Sequence, residues 1–255
     1  REQYEENPYP RWVNLGLFLR PKTTTQIVKK LNLRVFDNAA NNRRVPNILI
    51  AGCGTGQHSI ETASRIKDCN VLAVDLSLSS LAYAKRKTAA LSLQNINYMQ
   101  ADILGLGELD KKFDIIESAG VLHHMDDPVA GWRVLTDCLG SGGLMRIGLY
   151  SKLGRQDIVK TREEINQSGM GSGDDAMKSF RSNMINSNEQ HHKNIRSSPE
   201  FYSLSELRDL LFHVQEHRFT IPQIKDLLSE LGLTFCGFEG DSIVRGFQLT
   251  HAGKV

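Results

Sequence analysis

The feature that most constrains the fold of this chain is an apolar run that ends in a glycine-rich turn. Residues 48–51 read Ile-Leu-Ile-Ala, a pattern typical of a parallel strand covered on both faces. Glycines follow at positions 52, 54 and 56, and a helical pattern extends from there to about residue 67. Because a strand, a tight turn and a helix in this order begin a βαβ unit, the sequence predicts an α/β fold with a parallel sheet.

The same alternation continues as far as Tyr150. It predicts strands at 71–74, 96–100, 113–116 and 144–149, and helices at 79–92 and 127–139. Residues 151–217 are polar and show no strand pattern, so we interpret them as a helical insertion after strand five. A helix at 221–231 and a strand pair at 233–238 and 243–249 follow the insertion.

These patterns divide the 255 residues into four segments. We expect a helical lid or cap in residues 1–45, where prolines interrupt the helical patterns, and an α/β core in residues 46–150. Residues 151–217 form the insertion, and residues 218–255 supply the helix and strand pair that complete the core sheet. A chain of this length is more typical of one elaborated domain than of two independent ones.

Charge and composition argue against several classes of partner. The formal net charge is +2, and the charges of the insertion are interspersed, so no nucleic-acid partner is expected. No apolar run reaches about 18 residues, so no membrane span is expected. The four cysteines form no C-x-x-C pair, which predicts free thiols, a cytoplasmic location and no metal site.

The spacing of the glycines limits the ligand of the turn. Dinucleotide-binding turns read G-x-G-x-x-G, whereas here residue 57 is Gln and the pattern is G-x-G-x-G. The turn is followed by no Gly-Lys-Ser/Thr sequence, and it offers no Lys or Arg to a phosphate group. S-adenosylmethionine, which carries an amino-carboxylate, a sulfonium and an adenosine but no phosphate, fits these limits.

Two acidic residues follow the next two predicted strands. Asp75 ends the second strand, where a carboxylate can accept hydrogen bonds from both ribose hydroxyls. Asp102 ends the third strand, and with Ile103 it can hold an adenine amino group and cover one face of the ring. Since the carboxyl ends of neighbouring parallel strands meet at one edge, the turn and both acids are predicted to form one cofactor site.

These segments resemble class I S-adenosylmethionine-dependent methyltransferases. The resemblance rests on residues 48–57, 71–75, 100–102 and 113–118, and on Val-Leu-His-His-Met-Asp-Asp-Pro at 121–128. It implies a seven-stranded Rossmann-like sheet, mostly parallel with an antiparallel last strand, and S-adenosylhomocysteine as product. Residues 3–12, 148–151 and 210–219 resemble bacterial methyltransferases that follow tetratricopeptide repeats, which implies such repeats upstream of this domain.

The predicted cofactor contacts come from the turn, the strand ends and the N-terminal segment. They are Gly52, Cys53, Gly54, Thr55, Gly56, Asp75, Leu76, Asp102, Ile103, Ser118, Tyr4 and Arg11. The aromatic N-terminal segment has two structural interpretations, which concern Tyr4, Tyr9, Arg11 and Trp12. They form either a lid, in which Arg11 pairs with the cofactor carboxylate, or an ordinary helix packed on the sheet.

The acceptor is less constrained. The fourth strand ends in Glu-Ser-Ala-Gly at 117–120 and lacks the Asn/Asp-Pro-Pro-Tyr/Phe motif of many amine methyltransferases. This argues against adenine or glutamine amide and leaves small molecules or proteins, over which residues 151–217 would form a cap. His123 and His124 are the nearest titratable candidates, and for each the alternative role is packing or helix capping; of the two, His123 is the predicted catalytic base.

Four histidines of the later part of the chain are not predicted to take part in catalysis or metal binding. His191 and His192 are expected on the solvated surface, and His213 and His217, four apart on a predicted helix, in packing or in the acceptor pocket. Two functional alternatives remain open at this point. One is a nicotinamide-dependent oxidoreductase, and the other is a non-catalytic module that binds S-adenosylmethionine.

Overall fold

The computed structural model describes residues 2–35 and 44–239. Its strands are β1 (Asn47–Ala51), β2 (Asn70–Asp75), β3 (Ile96–Gln100), β4 (Phe113–Ala119) and β5 (Leu139–Gly148). They form one sheet in the order β3-β2-β1-β4-β5, and every neighbouring pair is parallel. The predicted α/β fold with a parallel sheet is therefore confirmed.

The helices fall before, between and after these strands. Those of the N-terminal segment and core are α1 (Glu2–Glu6), α2 (Thr24–Lys30), α3 (Gln57–Arg65), α4 (Leu78–Ala90) and α5 (Pro128–Cys138). The later ones are α6 (Gln156–Gln167), α7 (Asp174–Asn186), α8 (Gln190–Arg196), α9 (Leu204–Phe212) and α10 (Ile221–Glu230). Three short 3₁₀ helices lie at Ile103–Leu109, Leu122–His124 and Pro199–Tyr202. Within the described ranges, none of these helices has the length and apolar character needed to span a bilayer.

The sheet is covered on both faces, as its continuous apolar runs predict. Leu49 points to the face where it packs with Trp132 of α5, and α10 lies against the same cluster. Ile48, one residue earlier, points to the opposite face and packs with Leu81 of α4. The alternation follows the two-residue period of a strand, and it leaves the carboxyl edge of the sheet as the place for a ligand.

β5 begins five residues earlier than the predicted start at residue 144. Leu139 pairs with Phe113, and the register then shifts before Leu144 pairs with Ile115. Gly142 takes a φ of 67° within this irregular stretch. Gly142 and Gly143, which were predicted to precede the strand, therefore lie inside it, at a bulge.

The predicted strand pair that would complete seven strands is not part of the described sheet. Residues 233–238 take no strand conformation; Arg34 N–H donates to the Cys236 carbonyl oxygen at 2.8 Å. The predicted partner, residues 243–249, lies outside the described residues. The described sheet has five strands, all parallel, so the antiparallel last strand is not among them.

Residues between β5 and α10 form a helical unit with its own apolar core. Ile158 of α6 and Leu211 of α9 belong to this core. At its base, Phe219 N–H donates to the Tyr150 carbonyl oxygen at 2.8 Å, and Lys152 N–H donates to the Phe219 carbonyl oxygen at 2.9 Å. The chain thus leaves and re-enters the core at one point, beside the carboxyl end of β5.

Candidate active site

The glycine turn between β1 and α3 lies at the carboxyl edge of the sheet. Gly52 and Gly54 have φ angles of 79° and 50°, which favour glycine. A Cβ atom on Gly54 would lie 2.4 Å from the Tyr9 carbonyl oxygen, and one on Gly52 would lie 2.3 Å from Val121 Cγ2. Both the backbone angles and the lack of space for a side chain therefore favour glycine at these two positions.

Asp75, at the end of β2, is attached to this turn. Its Oδ2 accepts a hydrogen bond from Gly54 N–H at 2.7 Å, and its Oδ1 accepts one from Ser77 N–H at 2.9 Å. Burial raises the pKa of Asp75, and these hydrogen bonds counteract that effect. The Leu76 backbone also donates to this carboxylate, and a lone pair that these contacts leave free can accept a hydrogen bond from a ligand hydroxyl. The predicted turn and the predicted acid are thus in direct contact.

The other predicted contacts from the core differ in exposure. Asp102 is exposed, with its Oδ1 accepting the N–H two residues later at 2.9 Å, and Leu76 is 41% exposed. Ile103 is buried in the core cluster of α5, and the Ser118 hydroxyl donates to the Ala51 carbonyl oxygen at 3.0 Å. Asp102 and Leu76 are therefore open to a ligand, whereas the side chains of Ile103 and Ser118 are engaged inside the protein.

The N-terminal segment lies on the glycine turn. Thr55 N–H donates to the Tyr9 carbonyl oxygen at 3.1 Å, and the Thr55 hydroxyl donates to the Pro10 carbonyl oxygen at 2.5 Å. Trp12 Nε1–H donates to Thr55 Oγ1 at 3.1 Å. Arg11 is exposed between these anchors. Residues 9–12 therefore cover the turn as an irregular segment without a helix.

Glu5 binds the start of the N-terminal segment to the first residues of α4. Its carboxylate accepts hydrogen bonds from Leu78 N–H at 2.9 Å and Ser79 N–H at 3.1 Å. These backbone hydrogen bonds lower the pKa of Glu5 to about 2. A carboxylate at a helix N-terminus complements the unpaired N–H groups there.

Tyr4 connects the N-terminal segment to the helical insertion. Its hydroxyl donates to Asp209 Oδ1 at 3.1 Å and lies 3.0 Å from His213 Nε2. Because Gln215 N–H donates to His213 Nδ1 at 3.1 Å, the ring proton of neutral His213 lies on Nε2, which donates to the Tyr4 oxygen. Tyr4, predicted as a cofactor contact, therefore belongs to a polar cluster under the insertion.

His124 lies in the same cluster, just after β4. Its Nδ1 is 2.7 Å from the Gln215 carbonyl oxygen, so Nδ1 carries the proton and Nε2 keeps a lone pair. Nε2 is buried and has no hydrogen-bond partner among residues 2–35 and 44–239. Burial lowers the pKa of His124, which keeps the ring neutral near pH 7. The result is a buried base whose tautomer is fixed by a backbone carbonyl.

His123, the predicted base, is packed more tightly. It is 1% exposed, and its ring stacks on Tyr150 with the centroids 3.7 Å apart. Burial lowers the pKa of His123 to about 3, and a contact with the Gly148 backbone counteracts part of this effect. The rings of His123 and His124 are 4.3 Å apart, so the two candidate bases are neighbours.

Three arginines give this region an excess of positive charge. The Arg155 guanidinium lies 3.7 Å from the ring centroid of Tyr150 and forms a two-pronged ion pair with Glu216. Arg162 and Arg218 each approach the carboxylate of Glu216 to 3.9 Å. The Glu216 side chain is 2% exposed, so one buried carboxylate is shared by three guanidinium groups.

Most of this polar cluster is not visible in the sequence. α9 ends at Phe212, so His213 and His217 do not lie four apart on one helix as predicted. Residues 213–219 instead return to the core, and His217 N–H donates to the His123 carbonyl oxygen at 2.7 Å. The signal that pointed here was the resemblance of residues 210–219 to the flanking motif, which named no role for Asp209 or Glu216.

Comparison with known proteins finds similarity to methyltransferases. Residues 48–143 match the model of a family described as a methyltransferase domain. The chain is 30% identical over 206 residues to an uncharacterized protein of Synechococcus sp., which covers 76% of this chain and 48% of the relative. It is 27% identical over 148 residues to phosphoethanolamine N-methyltransferase 1 of Arabidopsis thaliana, covering 58% and 28%. The chain therefore spans less than half the length of either relative.

Solved structures support the same fold. PKMT2 from Rickettsia typhi aligns with a TM-score of 0.60 at 18% identity, over 81% of this chain and 41% of that one. Its complex with AdoHcy aligns with a TM-score of 0.59 at 20% identity, over 80% and 44%. These alignments show the same α/β fold, and the family match assigns a methyltransferase domain to residues 48–143.

Proposed function

We propose that this domain transfers the methyl group of S-adenosylmethionine to an anionic acceptor whose nucleophile carries a proton. The acceptor, a small molecule or a protein, would bind between the segment after β4 and the helical insertion. The observation that carries the proposal is the buried Nε2 lone pair of His124, held in one tautomer by the Gln215 carbonyl oxygen. A base of this kind serves an acceptor that must lose a proton.

In this proposal the cofactor lies over the glycine turn at the carboxyl edge. Asp75 would accept a hydrogen bond from the ribose while it holds Gly54, and Asp102 and Leu76 would lie against the adenine. Residues 9–12 act as the lid, and the exposed Arg11 pairs with the cofactor carboxylate. The contacts of Thr55 with this segment support the lid interpretation over a helix packed on the sheet.

The reaction is an in-line displacement. The bound cofactor would supply the methyl group: a bond from the acceptor nucleophile to the methyl carbon would form as the carbon–sulfur bond breaks, with S-adenosylhomocysteine as the leaving group. Since the sulfonium methyl is already activated, the protein contributes chiefly by holding donor and acceptor in line. His124 Nε2 accepts the proton that the nucleophile loses. His123 remains the alternative base, and its stacking on Tyr150 suits a positioning role as well.

The charge of the acceptor is inferred from the arginines. Arg155 and Arg162 are largely buried, with 13% and 18% of their side chains exposed. Arg162 Nη1 is a buried atom that lies 3.9 Å from the Glu216 carboxylate, beyond hydrogen-bond distance, and it has no hydrogen-bond partner in the described part of the chain. A buried guanidinium N–H without a partner is costly, and a carboxylate or phosphate group of the acceptor would satisfy it.

The wider organisation is also proposed. Residues 1–45 form the lid, residues 46–150 the core and residues 151–217 the cap over the acceptor. Residues 218–255 complete the core, and a seven-stranded sheet with an antiparallel last strand is proposed on the resemblance, beyond the five strands described. β5 is an edge strand of the described sheet, which supports this arrangement. A cytoplasmic location and an upstream tetratricopeptide array are proposed on the sequence alone.

Methyl transfer from labelled S-adenosylmethionine into fractionated cell extract tests the proposal. We expect labelled acceptor that appears with the wild-type protein and is retained on an anion exchanger before transfer. The product is then identified by mass. Retention of the acceptor on a cation exchanger alone would contradict the anionic assignment. Absence of labelled product in every fraction would favour the non-catalytic binding module.

A further inference from the structure

A second cluster of titratable side chains lies inside the helical insertion, away from the methyl-transfer site. His191 and His192, at the start of α8, are 4% and 8% exposed, which corrects their predicted place on the solvated surface. Both rings face Glu164 of α6 because the insertion folds around its own core. His191 Nε2 lies 2.6 Å from one carboxylate oxygen, and His192 Nε2 lies 2.8 Å from the other.

The orientation of the two rings lets their nitrogens converge. The ring planes of His191 and His192 are tilted by 48° with centroids 4.2 Å apart, and one ligand atom from each histidine and from Glu164 lies within 4.8 Å of the others. Across the ring, His192 Nδ1 is 2.8 Å from Ser187 Oγ, a contact that fixes the ring orientation. Such contacts behind the ligating nitrogen are typical of histidines that bind metals.

His191 has a comparable contact behind its ring. Its Nδ1 lies 3.2 Å from Lys160 Nζ and 3.8 Å from a carboxylate oxygen of Glu189. Lys160 is 57% exposed and also lies 3.7 Å from Glu189. The lysine can therefore move into solvent beside Glu189, which then accepts the Nδ1 proton of a His191 that ligates through Nε2.

The cluster of His124, Asp209 and His213 differs from the cluster of Glu164, His191 and His192 in the orientation of its rings. Its ligand atoms are also within 4.8 Å of one another, but the two imidazole rings are stacked, with a tilt of 25° and centroids 3.6 Å apart. Stacked rings direct their lone pairs along parallel planes. Three of the four ring nitrogens are already hydrogen-bonded to Gln215 or Tyr4. That cluster therefore suits proton transfer rather than metal binding.

We propose that Glu164, His191 and His192 form a binding site for a divalent cation of the zinc type. Two imidazole nitrogens and one carboxylate are a ligand set that Zn²⁺ takes, with water in the fourth position. A ring that binds the ion through Nε2 carries its proton on Nδ1, from which His191 would donate a hydrogen bond to Glu189 and His192 one to Ser187 Oγ. The ion would join α6 to α8 and stabilise the cap, a role distinct from the methyl-transfer chemistry.

Metal binding to the full chain, prepared without a polyhistidine tag and treated with chelator, tests this site. We expect calorimetry to show one Zn²⁺ per chain, and Co²⁺ to give the visible absorption of a four-coordinate site. Zn²⁺ should also raise the melting temperature. His192→Asn and Glu164→Gln should each weaken binding by at least about tenfold. His213→Asn, which alters the other cluster, is the matched control and should bind as the wild type does.

Two results would overturn the proposal. One is a wild-type chain that binds neither Zn²⁺ nor Co²⁺ at one ion per chain. The other is binding that survives in folded His192→Asn and Glu164→Gln but is lost in His213→Asn, which would place the ion in the other cluster. Circular dichroism of each variant establishes that it is folded before its metal affinity is compared.

Discussion

Replacing Gly54 by valine is expected to weaken the binding of S-adenosylhomocysteine by at least about a hundredfold, equivalent to about 2.7 kcal/mol. The backbone of Gly54 has a φ of 50°, which a β-branched residue adopts at a cost of about 1–3 kcal/mol. Its new Cβ would also lie 2.4 Å from the Tyr9 carbonyl oxygen. The substitution therefore displaces the lid segment and distorts the turn that Asp75 holds. Calorimetric titration measures the loss.

Gly169→Val is the matched control for this prediction. Gly169 has a φ of 65°, but a Cβ atom there would meet nothing within 4 Å. The control thus includes the backbone strain without the contact to the lid, and it lies far from the turn in sequence. We expect it to bind S-adenosylhomocysteine as the wild type does. Normal binding by a folded Gly54→Val chain would show that the turn and the lid do not form the cofactor site.

Replacing His124 by asparagine is expected to lower kcat by about 10²–10⁴-fold while the affinity for S-adenosylhomocysteine stays unchanged. Asparagine keeps an N–H group that can donate to the Gln215 carbonyl oxygen, but it provides no basic nitrogen in place of Nε2. Steady-state kinetics on the identified acceptor, with calorimetry on the cofactor product, separate the two effects. An unchanged kcat would remove His124 from proton transfer.

His123→Phe completes the comparison, because phenylalanine keeps the stacking on Tyr150 and removes both ring nitrogens of the alternative base. We expect it to retain most of the activity. The pH profile gives an independent check. Since burial lowers the pKa of His124, the ring stays neutral and basic as the pH falls through 6.5, the ordinary value for histidine. The acidic limb of kcat should therefore lie below pH 6.5, and it should be lost in His124→Asn.

The core of this fold follows from short stretches of sequence. The apolar run at 48–51, the three glycines and the acids Asp75 and Asp102 are local patterns, and each strand end falls within a few residues of its predicted place. The contact between Gly54 and Asp75 follows too, because parallel strands bring their carboxyl ends to one edge. Such features are predictable because neighbouring residues determine them.

The polar cluster under the insertion could not be predicted in the same way. Its residues come from three distant parts of the chain, and no local sequence pattern relates them. They include Tyr4, His124, Asp209 and Glu216. The burial of His191 and His192 could not be predicted either, because it results from the packing of α8 against α6. Burial of polar side chains depends on tertiary structure, so the residues that set acceptor chemistry are the hardest to predict from sequence.

The most direct test of the central claim is a pair of calorimetric titrations of the wild-type chain. S-adenosylhomocysteine and NADH are each added to separate samples under the same conditions. The account predicts saturable binding of one S-adenosylhomocysteine per chain and no measurable binding of NADH, because the turn spacing fits a ligand without phosphates. Saturable binding of NADH with none of S-adenosylhomocysteine would contradict the account and support a nicotinamide-dependent enzyme.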